Sequence, residues 1–173
     1  MISELFELAK LEATEATLSK ETFNLPELAH DVVQKFQLIA SNKHIALTLN
    51  INDESLYCHA EIGLISRVIE NLISNAIKFT PEHGEINVII THHNTQIITT
   101  VSDTGIGIED DDLKKVFHRF YQGKNNKDRS KSGGLGLAIV KRIVELHSGN
   151  VHAERSAKGT NFIFTIPMAS THH

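Results

Sequence analysis

The chain has 173 residues, room for one ordinary domain and a short extension. Hydrophobic residues make up 40% and charged residues 22%, the balance of a globular chain that buries a core without staples. With 17 basic against 21 acidic residues the net charge is -4, which excludes the basic surface that a nucleic-acid partner requires. No window approaches the ~18 consecutive apolar residues of a membrane span. No basic start followed by an apolar run reads as a signal peptide, so this fragment is expected to make no membrane contact. A single cysteine, Cys58, excludes an internal disulfide and fits a reducing compartment. Placed in Leu56-Tyr57-Cys58, it reads as a small buried hydrophobe. The 11 histidines are scattered, and none pairs with another at metal-ligand spacing beside carboxylates.

In chain order, residues 2–12 predict a helix with an apolar stripe of Ile2, Leu5, Phe6 and Ala9. Asn24 is placed to cap a second helix, with Pro26 just inside its start. That helix carries Leu28, Val32, Phe36 and Ile39 on one side and ends near residues 41–43. Residues 45–51 alternate as a strand, and a short strand near 56–59 leads into a long helix over 61–78. Strands over 86–91 and 96–102 form a hairpin through the polar turn His92-His93-Asn94-Thr95. Six of the ten glycines fall within 104–136, together with Lys124, Lys127, Arg129 and Lys131. A glycine-rich basic stretch of this length inside a domain points to a functional loop such as a lid. Residues 137–147 return to helix, and strands over 150–154 and 161–166 close the chain. The fold class is α/β, with one sheet layer, one helix layer and the first helix as an appendage.

Three stretches carry chemistry. The helix over 61–78 places Ile62, Ile65, Ile69, Leu72, Ile73 and Ala76 on one face and Arg67, Asn71, Asn75 and Lys78 on the other. Asn is a poor helix former, so two at i, i+4 followed by a Lys suggest a use. Amide oxygens ligate a hard cation without adding charge, which suits a Mg²⁺ that already carries phosphate oxygens. The lysine meets phosphate as a point charge. Next, Asp103-Thr104-Gly105-Ile106-Gly107 follows a strand whose Ile97, Thr99, Val101 and Asp103 point to one side. A carboxylate at the edge of an apolar layer needs a donor, and a purine amine is one. Taken alone, these residues read better as a strand-ending Asp-Thr-Gly turn. Finally, Gly133-Gly134-Leu135-Gly136-Leu137 opens a helix, where glycine amides form a positive concavity for phosphates.

Together these stretches resemble the boxes of sensor histidine kinases. Residues 70–80 look like the N-box, 103–107 the first glycine box, and Val116-Phe117-His118-Arg119-Phe120-Tyr121 the F-box. Residues 133–141 look like the second glycine box, and Lys158-Gly159-Thr160-Asn161-Phe162 is similar to the closing element. Order and spacing agree over roughly residues 22–167. The resemblance implies the Bergerat ATP-binding fold, an α+β two-layer sandwich with a mixed sheet backed by helices. It implies ATP and Mg²⁺ as cofactors. Asn75 would ligate Mg²⁺, Asn71 would support metal and phosphates, Lys78 would contact phosphate and Phe79 would pack near the base. Asp103 would accept the adenine amine, with Thr160 sharing a water. Gly105 and Gly107 would shape the base pocket, while Gly133, Gly134 and Gly136 would present amides to phosphate. Leu135 and Leu137 would anchor one end of the lid, and Phe117 and Phe120 the other. Ser132, Ala157 and Gln122 depart from residues common in the family, which bears on the lid geometry.

The resemblance further implies a phosphoacceptor histidine on a dimerisation domain. His30-Asp31 lacks the Thr-Pro or Asn-Pro that follows such a histidine and reads as structural. The acceptor is expected upstream of Met1. Residues 1–20 would be the end of a dimerisation helix, 21–170 the ATP-binding domain and 171–173 a tail. The expected partners are that dimerisation domain and a downstream response regulator. The whole protein would be a homodimer, cytoplasmic, with an anchor in the inner membrane as an option. Two rival readings stand beside this one. A gyrase-like or mismatch-repair-like ATPase commonly has Glu at the Asn71 position to activate water. A non-catalytic interaction module would retain the fold without turnover.

Overall fold

The computed structural model describes residues 2–13, 17–121 and 134–170. Helix α1 (Ile2–Ala13) precedes a short strand β1 (Glu21–Asn24) and helix α2 (Leu25–Asn42). Strands β2 (Ala46–Ile51) and β3 (Tyr57–Ala60) follow, then helix α3 (Ile62–Phe79). Strands β4 (Glu85–His93) and β5 (Gln96–Asp103), helix α4 (Gly136–Leu146), and strands β6 (Asn150–Arg155) and β7 (Thr160–Pro167) complete the described elements.

Five strands form a mixed sheet in the order β2-β4-β5-β7-β6. The β2–β4 pair is parallel, and the other three pairs are antiparallel. Period-two alternation decides its faces. Ile86, Val88, Ile90, Ile97, Val101, Phe162, Phe164 and Ile166 are buried under the helices. The opposite face carries polar ladders, with Thr48 Oγ1 and Asn50 Nδ2 both donating to Asn87 Oδ1. A side chain on the inner face therefore points at the helix layer, and this is what aims Asp103 inward.

Local signals set the helix ends. Asn24 Oδ1 accepts from the Glu27 N–H at 2.8 Å, and Pro26 lies in the first turn of α2. The buried side of α2 is Leu25, Ala29, Val32, Val33 and Ala40, while Ile39 is 52% exposed. On α3, Ile65, Ile69, Leu72, Ile73 and Ala76 are fully buried, but Ile62 at its first turn is exposed.

Other expectations are corrected. The turn between β4 and β5 is tighter than the sequence suggests: His93 still pairs with Gln96, which leaves only Asn94 and Thr95, with Asn94 at φ 53°. The left-handed region tolerates Asn, which allows the two-residue connection. β1, absent from the sequence reading, pairs antiparallel with β3 and brings Phe23 opposite Cys58. Cys58 is buried, and desolvation pushes its thiol up to about 12, as suits a small core residue. The stripe expected on α1 lies on the outer side, with Ile2 and Phe6 largely exposed, Phe6 at 73%. Leu8 and Leu11 are buried instead, because α1 packs on α4 through its other side.

His147, at the C-terminus of α4, ties that helix to α3. Its Nδ1 donates to the Ile143 carbonyl at 2.7 Å, and its Nε2 accepts from the Glu61 N–H at 3.1 Å. The second bond requires the neutral ring, because a protonated Nε2 can only donate. Burial, the largest cause, holds its pKa below the usual histidine value. The unfolded chain therefore binds a proton that the folded chain resists. The stability from this residue is complete above the unfolded value of ~6.5 and is lost as pH falls below it. Urea unfolding at pH 7.5 and pH 5.5 is expected to show the domain less stable at the lower pH, in part from this group. His147→Gln, which cannot titrate, should flatten that part of the slope. An identical slope in the variant would remove His147 as its source.

Candidate nucleotide site

A cavity of about 230 Å³ opens between α3, the end of β5 and the start of α4. From α3, Asn71, Ser74, Asn75, Lys78 and Phe79 line it, on the face opposite the buried isoleucines. From the sheet come Asp103, Thr160 and Phe162. From the glycine segments come Gly107, Gly134, Gly136 and Leu137. The three stretches singled out in the sequence therefore converge on one hollow.

Not every expected residue lines it. Leu135 is fully buried beneath the start of α4 and anchors by packing, without facing the cavity. Gly105 acts from behind the wall, its N–H donating to Asp103 Oδ1 at 2.9 Å. Gly133 lies outside the described residues, as do Gln122, Lys124, Lys127, Arg129, Lys131 and Ser132. His30 is exposed on α2, 3.7 Å from Glu54.

Asp103 is the electrostatic centre of the hollow. It is 5% exposed, and burial raises its pKa, while backbone N–H groups of Gly105 and Thr160 pull it partly back. A carboxylate held this way in a cavity wall favours a donor that completes its hydrogen bonding. Thr160 sits directly across from it in the β5–β7 register. Gly159 lies behind: a Cβ there would stand 2.1 Å from the Asp103 carbonyl oxygen.

At the other end, Asn71 Nδ2 donates to the Gly136 carbonyl at 3.1 Å and ties α3 to the first residue of α4. Asn75 is one turn further along the same face. The Lys78 Nζ stands 5.1 Å from the centre of the Phe79 ring. Among the described residues no group of three or more His, Cys, Asp or Glu could hold a metal ion. From the α3 face the donors offered are the neutral amides of Asn71 and Asn75, so a hard cation held there takes most of its oxygens from a polyphosphate and water.

The F-box is a series of turns with one buried aromatic. Phe117 is buried and meets Phe162 edge-on, with ring centres 6.1 Å apart. Phe120 corrects the sequence reading: its ring is 57% exposed. The tie runs instead through the backbone, with the Phe120 N–H donating to the Gly134 carbonyl at 2.9 Å. Gly134 has φ 68°, and a Cβ there would meet the Phe120 backbone at 2.7 Å, so the close approach requires glycine. Tyr121 lines the cavity beside Asp112. Burial and a hydrogen bond to that carboxylate push its hydroxyl up to about 12. Sequence reasoning did not single out Tyr121, Asp112 or Glu4, a residue of α1 that also reaches the cavity.

The family model described as histidine kinase-, DNA gyrase B- and HSP90-like ATPase matches residues 60–170. The chain belongs to this family. The sensor histidine kinase WalK of Bacillus subtilis is 31% identical over 171 residues, covering 96% of this chain and 28% of that protein. RppB of Synechocystis, also a sensor histidine kinase, is 34% identical over 169 residues, covering 97% of this chain and 37% of that protein. The chain thus spans about a third of the length of these two curated relatives. Among solved structures, the catalytic domain of histidine kinase ThkA superposes with a TM-score of 0.79 at 29% identity, over 86% of this chain and 95% of that one. Full-length ShkA, in complex with AMPPNP, superposes with a TM-score of 0.87 at 26% identity, over 98% of this chain and 35% of that one. The architecture is therefore the Bergerat fold, and the chain is an ATP-binding catalytic domain of the kind sensor histidine kinases carry.

Proposed function

We propose that the chain binds ATP with Mg²⁺ and transfers the γ-phosphoryl group to a histidine on a dimerisation domain outside it. The observation that carries this reading is the shape of one cavity. Asp103 stands in its wall as an acceptor for the adenine amine, and Asn71, Asn75 and Lys78 stand on one helix face for metal and phosphates. Thr160 and Gly107 border the base end, while Gly134 and Gly136 border the phosphate end. When bound, Mg²⁺ would neutralise phosphate charge, with Asn75 as its protein ligand and Asn71 in support. Positioning and charge neutralisation are most of what phosphoryl transfer asks of a protein.

Asn71 weighs against the ATPase reading. Its amide cannot accept a proton from water, and its nitrogen is engaged by Gly136. The intact Asp103 and Asn75 weigh against a non-catalytic module.

In this reading residues 1–20 are the end of a dimerisation helix, 21–170 the ATP-binding domain and 171–173 a tail. The whole protein is a homodimer that passes phosphate to a response regulator. ThkA has been crystallised in complex with the response regulator protein TrrA, which supports such a partner. Among the described residues no helix is long and apolar enough to cross a membrane. We place this domain in the cytoplasm, with any inner-membrane anchor elsewhere in the protein.

The test mixes the chain, Mg-ATP and a separately made dimerisation domain, and measures acid-labile phosphohistidine. Asn75→Ala is expected to lower the rate about a hundredfold through loss of the metal ligand. Full activity in that variant would remove the metal assignment. Steady phosphate release near one per second by the chain alone would favour the ATPase.

A further inference from the structure

One wall of the cavity comes from outside the sheet and its covering helices. Glu4 of α1 lines the hollow together with Asn71, Asn75 and Gly136. α1 is seated by apolar and ionic contacts. Leu8 and Leu11 are buried, with Leu8 beside Ala138 of α4 in an adjoining cleft. The Glu7 carboxylate meets Arg67 of α3 two-pronged, at 3.1 Å and 3.2 Å. Glu12 pairs with Arg119 of the F-box.

The helix registers then decide what Glu4 faces. Arg67, Asn71 and Asn75 are successive turns of one α3 face, about 6 Å apart. Glu7 is fixed on Arg67, and Glu4 lies on the same side of α1, about 4.5 Å along its axis. Glu4 therefore meets the stretch that includes Asn71 and Asn75, the end of the hollow assigned to the polyphosphate.

We infer that Glu4, held there by docked α1, sets the choice between nucleoside triphosphate and diphosphate. The inference rests on the nucleotide reading above and concerns how that same site is regulated. A carboxylate has only acceptor oxygens, so it offers a terminal phosphate nothing but repulsion. Glu4 is half-buried, which weakens screening by solvent. A triphosphate extends one charged group further toward it than a diphosphate does. Glu109 and Asp112 also line the hollow, but they belong to the segment after β5 and are not carried by α1. By thermodynamic reciprocity, whatever factor docked α1 takes from ATP affinity, bound ATP takes from the docking of α1. Binding of the triphosphate thereby loosens the helix that leads into the domain, and the diphosphate lets it reseat.

Calorimetric titration of the whole chain with ATP and with ADP, in excess Mg²⁺, tests this. Glu4→Gln is expected to tighten ATP about threefold to tenfold and ADP less than about twofold. The difference should collapse near 0.5 M salt, a level that shortens the screening length to a few ångströms. Glu7→Lys sets like charges against Arg67 and unseats α1, so it should give the same gain for ATP with Glu4 intact. The double variant should gain nothing more. Equal gains for both nucleotides, or no gain in either variant, would overturn the inference and leave the nucleotide site standing. A gain with Glu4→Gln and none with Glu7→Lys would overturn the part played by docking. No saturable heat with either nucleotide in the unaltered chain would overturn the nucleotide reading itself.

Discussion

Asp103→Asn is expected to lower ATP affinity about a hundredfold while leaving the free domain at least as stable as before. The loss follows from exchanging a charged acceptor for a neutral amide opposite the adenine amine. A hydrogen bond to a charged group contributes roughly 1.5–3 kcal/mol, and an amide that turns its own N–H toward the amine adds a clash of donors. The stability half has the opposite sign. Burial raises the pKa of Asp103, so the folded chain holds this proton more tightly than the unfolded chain does. The favourable contribution is complete below the unfolded value of ~3.9 and is lost as pH rises through the folded one. At neutral pH the ionised group therefore works against folding. Its replacement should leave the free domain as stable or more stable, since the Asn oxygen can still accept from the Gly105 N–H. Calorimetry with ATP and thermal melting of the free domain measure both halves. Unchanged affinity would show that Asp103 does not read the base, and a strongly destabilised variant would mean that the carboxylate is a structural support.

Gly159→Ala should fail differently, losing both fold and binding. The new methyl would stand 2.1 Å from the Asp103 carbonyl oxygen and 2.9 Å from its Oδ1. The first of these atoms belongs to the backbone of a central strand, so it cannot swing aside. Overpacking of this kind costs about 3 kcal/mol, or roughly 6–12 °C of melting temperature in a domain of this size. Whatever relief the chain finds moves β5 and β7 apart at the base end, so ATP affinity should fall about tenfold or more even where the domain stays folded. Gly63→Ala is the control: a Cβ there meets nothing within 4 Å, and the change should stabilise α3 by about 0.5–1 kcal/mol. Should the two variants melt alike, the close packing behind Asp103 would have no energetic weight.

The features that could be read from the sequence are those set by short periodicities. The buried stripe of α3 follows from helical spacing, and the inward aim of Asp103 follows from alternation along β5. The Asn24 cap is a three-residue matter and needs no distant partner. What escaped depends on contacts between segments far apart in the chain. β1 has four residues, too few for a pattern, and exists because β3 offers it a partner. On α1, apolar residues occupy both sides, and only the docking on α4 selects Leu8 and Leu11 over Ile2 and Phe6. Phe120 looked like a packing residue by composition, yet its left-handed backbone at φ 61° turns the ring outward. Glu4 reads as an ordinary charged residue on a helix surface, and its place in the cavity follows from Arg67, sixty-odd positions away, holding Glu7. The family boxes could be recognised because each is local; how α1 leans on them is not.

The position of β7 in the sheet has a consequence for how the domain comes into being. Of the described strands of this domain β7 is made last, yet it is inserted between β5 and β6, and it brings Thr160 against Asp103. Until then β5 is a bare edge, and half of the adenine wall is missing. A nascent chain can therefore gain no help from ATP in folding before Thr160–Pro167 is made, and must protect that open edge in the meantime.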